Sequence, residues 1–470
     1  MVNELLLLSA QLDQYFKEFR MRKNALTREQ VQAIKPKDVH QVLERTMLAD
    51  GFPLVVDLKN SQGMYLQDAK DGKKYLDFFS YFASSAVGHN HPKMSTPDFR
   101  AKVAEVALHN PANSDLYTVE MAQFVATFER VAMPDEFKHL FIIAGGALAV
   151  ENAIKVAFDW KTRKNMAAGK GEKGYKVIHF KEAFHGRSGY TLSMTNTFDP
   201  NKTKLFAKFD WPRVENPKLA FPLEGDNLKN VIEAEKRSLA QIEDAILKNP
   251  DDIAALIIEP IQGEGGDNHF RPEFFRALRE ITKKHDIMFI CDEVQSGIGL
   301  TGKMWAYQNY DVVPDIVAFG KKAQVCGIMV TGKVDEVKEN VFVIPSRINS
   351  TWGGNLTDMV RAQRIFEIIE EDKLVENAAK VGAYLIEKFH AMAKAFPTLV
   401  TSVRGRGLMC AFDLPNTEQR GKFRETCFQK EMMILASGPR SVRCRPALIC
   451  SKEDVDKAMA IMYDVLKGLK

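Results

Sequence analysis

The sequence predicts an α/β protein: a large domain with a mostly parallel central sheet flanked by helices, plus a smaller α+β domain. Three observations predict it. Five short runs (residues 139–143, 176–180, 253–258, 287–291 and 316–319) are apolar at nearly every position, as strands buried on both faces must be. Helical patterns, such as residues 148–160 and 272–285, alternate with them. After about residue 345 the texture changes to long amphipathic helices separated by glycine-interrupted strands.

Taken in order, the leucines at 5–8 follow Glu4 and are too few to span a membrane. With no basic region before them they read as an amphipathic helix, not a signal peptide. A helix after Lys37 and short strands around Val55 and Tyr65 complete residues 1–75, which are expected to pack with the C-terminal small domain. Residues 76–345 form the large domain. Within it, the Lys/Gly-rich stretch 161–176 reads as a solvated loop, and 196–225, rich in Pro, Asn and Lys, as a long loop. Residues 346–470 form the small domain, with helices over 358–371 and 374–396 and strands over 403–414 broken at Gly405 and Gly407. Its last helix is opened by a capping box from Ser451 to Asp454.

Composition narrows the function. A formal charge of +4 over 470 residues, with no basic stripe, argues against nucleic-acid binding. Six scattered cysteines without a C-x-x-C pair fit reduced thiols in a cytoplasmic protein, and no residue is assigned to a metal.

In open α/β sheets ligands gather at the carboxyl ends of the strands. The five runs are followed by Ala144-Gly145-Gly146-Ala147, Phe184-His185-Gly186-Arg187, Glu259 to Glu264, Asp292-Glu293-Val294-Gln295 and Gly320-Lys321-Lys322. These groups are expected to converge on one pocket. A different motif, Gly297-Ile298-Gly299-Leu300-Thr301-Gly302, matches G-x-G-x-x-G, and with Lys303 nearly matches a phosphate loop. Acidic residues 292–293 separate it from its strand, and Met304 stands where a phosphate loop needs Ser or Thr, so it reads as a flexible loop.

A shielded lysine beside a second cation loses its proton readily and becomes a nucleophile toward carbonyls. The best-known use is a Schiff base with pyridoxal 5'-phosphate. That cofactor needs an acid at its ring nitrogen, a phosphate cradle and an aromatic cover. Asp292, Gly145-Gly146-Ala147 and Phe184 offer these. Taken singly, Asp292 also suits a turn cap, the glycine pair a tight turn, and Phe184 plain core; together, on one alternating scaffold, they point to the cofactor.

On these residues the chain resembles the class III, fold-type I pyridoxal-phosphate aminotransferases. The resemblance runs from about Val39 to the C-terminus. It is carried by Tyr75-Leu76-Asp77-Phe78 with Gly88-His89-Asn90-His91-Pro92, Glu259-Pro260-Ile261-Gln262, residues 292–295, Gly320-Lys321 and Thr351-Trp352-Gly353-Gly354-Asn355. It implies that Lys321 is the Schiff-base lysine, with Lys322 a neighbour facing solvent. It also implies that Gln295 bonds the phenolic oxygen, and that Thr351 reaches across a homodimer interface to the phosphate. The hydroxyl-free phosphate loop departs from the family's Ser-Gly-Thr type and, with the surroundings of Phe184 and Lys321, is most similar to the L-lysine 6-aminotransferase subgroup.

The implied reaction is ping-pong transamination: the ε-amine of L-lysine goes to 2-oxoglutarate, giving 2-aminoadipate 6-semialdehyde and glutamate. Asp292 and Lys321 carry the chemistry. Substrate carboxylates call for arginines. Arg187 is a candidate for lysine and Arg443 for 2-oxoglutarate, with Arg445 a rival to Arg443; either candidate alternatively makes only surface salt bridges. By resemblance, Glu264 neutralises Arg443 while the donor is bound. Ornithine, acetylornithine or 4-aminobutyrate are alternative donors. A silent scaffold predicts loss of Lys321 or Asp292, and both are present. A nucleotide-binding dehydrogenase rests only on the 297–302 glycines.

Overall fold

In chain order the strands are β1 (Tyr65–Gln67), β2 (Lys74–Asp77), β3 (Phe137–Ile143), β4 (Lys176–Phe180), β5 (Arg213–Val214), β6 (Ile253–Ile258) and β7 (Met288–Asp292). They continue with β8 (Ile316–Phe319), β9 (Cys326–Thr331), β10 (Thr401–Arg406), β11 (Met409–Asp413), β12 (Met432–Met433), β13 (Leu435–Ser437) and β14 (Ser441–Cys444). The structure, a computed structural model, describes residues 25–469 and Gln14; the helix expected at residues 5–8 lies outside them.

The described residues divide into two units, one running up to Asn60 and adding Gln67–Lys74, the other made of Ser61–Leu66 and everything from Tyr75 onward. In the first, Thr27 opens the helix Arg28–Gln32 with a reciprocal capping box to Gln30, and the expected helix after Lys37 is Val39–Glu44. Val56 bridges to Asp68.

The second unit is built on a seven-stranded sheet of order β3-β9-β8-β7-β6-β4-β5. β4, β5, β6, β7 and β8 run parallel, and β9 is antiparallel to both its neighbours, β8 and β3. It follows that β3, β4, β6, β7 and β8 all end at one edge. Every residue of β6, β7 and β8 is buried. Their side chains alternate between two cores: Ile257, Ile290, Ala318 and Ile328 pack with Ala153, Ile154 and Trp160 of the helix Gly146–Ala167. Leu256, Phe289, Val317 and Met329 face the other core, with Phe274 and Leu278 of the helix Pro272–Lys284. Period-two strands covered on both faces are what a sheet between helix layers requires.

The C-terminal helices are Leu356–Glu371, Leu374–Ala395, Thr417–Gln429 and Lys452–Lys467, around a sheet of order β10-β11-β14-β13. The capping box forms, with Asp454 N donating to Ser451 Oγ at 3.1 Å and Ser451 N donating to Asp454 Oδ2 at 3.0 Å.

Two expectations need correction, and one strand is added. Residues 161–167 continue the helix Gly146–Ala167, and Lys161 is buried, its Nζ donating to the Asp286 carbonyl at 2.7 Å. A lysine stem is aliphatic, and a helix buries it readily once a carbonyl takes the ammonium. The 196–225 loop contains β5, an edge strand of two residues beside β4. β9 carries no separate signal in the sequence because its apolar run follows so closely on the Gly320–Lys321 turn; it is the strand that returns the chain from that turn.

Candidate active site

At the shared edge a cavity of about 570 Å³ is lined by Gly146, Ala147, Phe184, Arg187, Glu264, Asp292, Gln295 and Lys321, all singled out from the sequence. Ser84, His185, Glu259, Val294, Gln324 and Cys326 line it too. The expected convergence therefore occurs, because parallel strands deliver their following loops to one side.

β8 ends at Phe319, and the chain turns through Lys321 at φ 49° before re-entering the sheet as β9. Burial lowers the Lys321 pKa; Asp292 opposes that shift and Arg443 adds to it. The result is an amine released from its proton more easily than an ordinary lysine. Lys322 does not face solvent. It is 1% exposed, and its Nζ donates to the Ala83 carbonyl at 2.8 Å. Burial first, then Arg445 and Lys321, push its pKa well down. The two side chains enter different environments, and the charge of Lys321 still adds to the downward shift at Lys322.

Asp292 closes β7 and is buried. Its Oδ2 accepts from His185 Nδ1 at 2.8 Å and its Oδ1 from Val294 N at 3.1 Å, so the turn-capping role is present alongside the imidazole pair. On sequence alone His185 has no role of its own; its place between Phe184 and Gly186 at a strand end is the available signal. Glu259 lies near. Burial raises its pKa to about 7, with His185 opposing and Asp292 reinforcing the shift, while Phe184 N and Gly263 N donate to its carboxylate.

The helix Gly146–Ala167 starts here with Gly145 as its N-cap, at φ 101°. N–H groups in the first turn of a helix have no intrahelical acceptor and attract anions. Gly146 lies so close to Val294 that a Cβ would come within 2.8 Å of its Cγ1. Gln295 Oε1 accepts from Arg443 Nη1 at 3.0 Å, leaving Nε2 as a donor. Gly263 leaves room for this amide, since a Cβ there would stand 2.2 Å from Gln295 Oε1 and displace it.

Arg443, on β14, is buried but does not line the cavity; it acts on it through Gln295. Arg445 is fully buried and paired with Asp267, which removes it as a free carboxylate ligand. Arg187 is exposed at the cavity rim. Glu264 Oε1 accepts from Thr197 Oγ1 at 2.7 Å and Lys202 Nζ at 2.6 Å, so in this structure its partner is Lys202. Thr351 is exposed and outside this cavity, on a loop whose Ser350 carbonyl accepts from Ser114 Oγ at 2.7 Å.

Ser80, Tyr81, Phe82 and Ala83 form one turn of left-handed helix, with φ of 43, 53, 57 and 71°. Such a turn costs roughly 1–2 kcal/mol per L residue.

An amine of lowered pKa, a buried carboxylate and a helix N-terminus around one cavity fit pyridoxal 5'-phosphate: the donors and acceptors match its aldehyde, ring nitrogen and phosphate. Fold and site together define a pyridoxal-phosphate-dependent enzyme. The profile of the family Aminotransferase class-III matches residues 47–466, and the chain belongs to that family. It is 52% identical to an L-lysine-epsilon aminotransferase of Mycobacterium tuberculosis over 433 residues, 92% of this chain and 96% of that protein. It is 48% identical to an L-lysine-epsilon aminotransferase of Streptomyces clavuligerus over 425 residues, 90% of this chain and 93% of that one. The solved structure of lysine aminotransferase from M. tuberculosis in the internal aldimine form superposes with a TM-score of 0.91 at 50% identity, covering 93% of this chain and all of the other. The chain is an aminotransferase and its cofactor is pyridoxal 5'-phosphate.

Proposed function

We propose that this aminotransferase moves the ε-amino group of L-lysine to 2-oxoglutarate in two half-reactions, releasing 2-aminoadipate 6-semialdehyde and then glutamate. The choice of donor is carried by one observation, the 52% identity to an enzyme named for it.

When bound, pyridoxal phosphate supplies an aldehyde that takes up an amine and a ring that draws electrons from the donor carbon. The residues divide the remaining work. Lys321 holds the cofactor between turnovers and carries the proton at the reacting carbon. Asp292, oriented by His185, keeps a proton on the ring nitrogen. The N–H groups at Gly146 and Ala147 hold the phosphate, and Gly145 lets the chain turn into that helix. Phe184 and Val294 cover the ring, and Gln295 Nε2 donates to the phenolic oxygen. Arg187, at the rim, holds the far carboxylate of lysine, and Arg443, screened from the cavity by its hydrogen bond to Gln295, takes the α-carboxylate of 2-oxoglutarate when that bond is exchanged. Glu264, paired with Lys202 in this structure, exchanges that partner for Arg443 while the donor is bound.

Thr351 serves the phosphate of a second copy, which makes the working unit a homodimer; its exposure and its place outside the lining of its own chain's cavity support that role. The six cysteines are unpaired, in keeping with a reducing cytoplasm. Among the described residues no helix is long and apolar enough to cross a membrane.

Incubation with 2-oxoglutarate and, separately, lysine, ornithine and 4-aminobutyrate tests the donor. Glutamate should form fastest from lysine; a faster rate from either other amine removes the assignment.

A further inference from the structure

The left-handed turn Ser80–Ala83 is held at both ends. At its entry, Asp77 Oδ1 accepts from Phe79 N at 2.9 Å and Ser80 N at 2.6 Å, and the Ser80 hydroxyl donates to the Arg445 carbonyl. At its exit, the Ala83 carbonyl accepts from Lys322 Nζ at 2.8 Å and the Ser84 carbonyl from Gln324 Nε2 at 2.7 Å. Both exit donors sit on the short turn that carries Lys321. Ser84 and Gln324 line the cavity with Lys321. A strained backbone persists only where its surroundings over-determine it, and such strain collects at functional sites. Lys322 makes no salt bridge among the described residues, so its amine serves as a hydrogen-bond donor in a buried place and not as a surface charge. Burial, Arg445 and Lys321 all favour its uncharged form, with Asp77 opposing.

We propose that Lys322 is a positioning residue for the amino donor: its hydrogen bond to the Ala83 carbonyl locks the left-handed turn to the Lys321 turn and thereby fixes the Ser84 wall of the cavity. The inference rests on the reading of this cavity as the donor site. It separates the paired lysines by task, one for the reaction and one for the shape of the chamber around it.

Lys322→Met keeps the stem and removes the donor; Lys322→Gln keeps an N–H. Hydrogen–deuterium exchange read by mass spectrometry, with and without cofactor, should show amides of residues 79–86 exchanging roughly tenfold faster in Lys322→Met, with the central sheet unchanged. In steady-state assays Lys322→Met should raise the donor KM about tenfold while leaving kcat and the keto-acid KM within about threefold, and Lys322→Gln should restore most of the loss. Unchanged exchange at 79–86, or a loss that falls on kcat or equally on both KM values, overturns the proposal. Should Lys322→Met not fold, Gln324→Ala cuts the neighbouring tether to Ser84 and is held to the same outcomes. Wild-type enzyme that turns over no ω-amine would instead sink the donor reading, a result the exchange experiment does not share.

Discussion

His185 and Asp292 are 107 residues apart in the chain, yet imidazole Nδ1 lies 2.8 Å from carboxylate Oδ2 in a buried setting. The contact keeps Asp292 oriented and supplies a hydrogen bond that its charged form needs so far from water.

Removing the imidazole leaves a buried carboxylate oxygen without its partner, a cost of roughly 1–3 kcal/mol. His185→Ala should therefore lower kcat/KM about tenfold to a hundredfold. Cofactor should also be lost faster on dialysis, followed by absorbance. Wild-type kinetics and retention in the variant would contradict the role given to Asp292.

Lys321→Ala should abolish turnover, with at least ~10²–10⁴ of the loss due to the missing proton carrier. Borohydride treatment of the wild type should leave the cofactor's mass on the peptide containing Lys321. Mass on Lys322, or nowhere, would refute the assignment.

Glu259 adds a pH dependence to stability. Its folded pKa is raised from 4.5 to about 7, so the folded state holds the proton that the unfolded chain has already released. The stability this confers is full below pH 4.5 and lost as pH rises through about 7, a decline of about 3 kcal/mol. Glu259→Gln should flatten that slope in denaturant titrations across the window. The mispaired amide adds an offset that does not change with pH, so slope and offset separate.

The arginines should divide by substrate. Arg443→Lys loses bidentate geometry and should raise the KM for 2-oxoglutarate about tenfold or more, with a smaller effect on lysine. Arg187→Ala should do the reverse. Steady-state kinetics with each substrate varied in turn decides it, and the opposite pattern would exchange their roles.

Much of this protein was legible in one dimension. Runs apolar at nearly every position are expected to be buried on both faces, as β6, β7 and β8 are, while β3, at the sheet's end, is half-buried over residues 139–141. Alternation with helices makes the connections parallel, so the strand ends and the motifs after them meet. That logic located Lys321, Asp292, Phe184 and Gln295. It did not reach the edge strand β5, whose two residues carry no pattern, or β9, hidden behind a turn.

What only the tertiary structure decided is which way adjacent side chains point and what waits for them. Lys321 and Lys322 are chemically identical in the sequence. A φ of 49° at Lys321 and the distant Ala83 carbonyl send one into the cavity and bury the other. Arg445 rivals Arg443 in the sequence, and only the fold pairs it with Asp267. Local composition determines which segments become buried strands because burial acts on each residue's own polarity. Pairings such as His185 with Asp292 depend on where remote segments come to rest, and no short-range pattern encodes that.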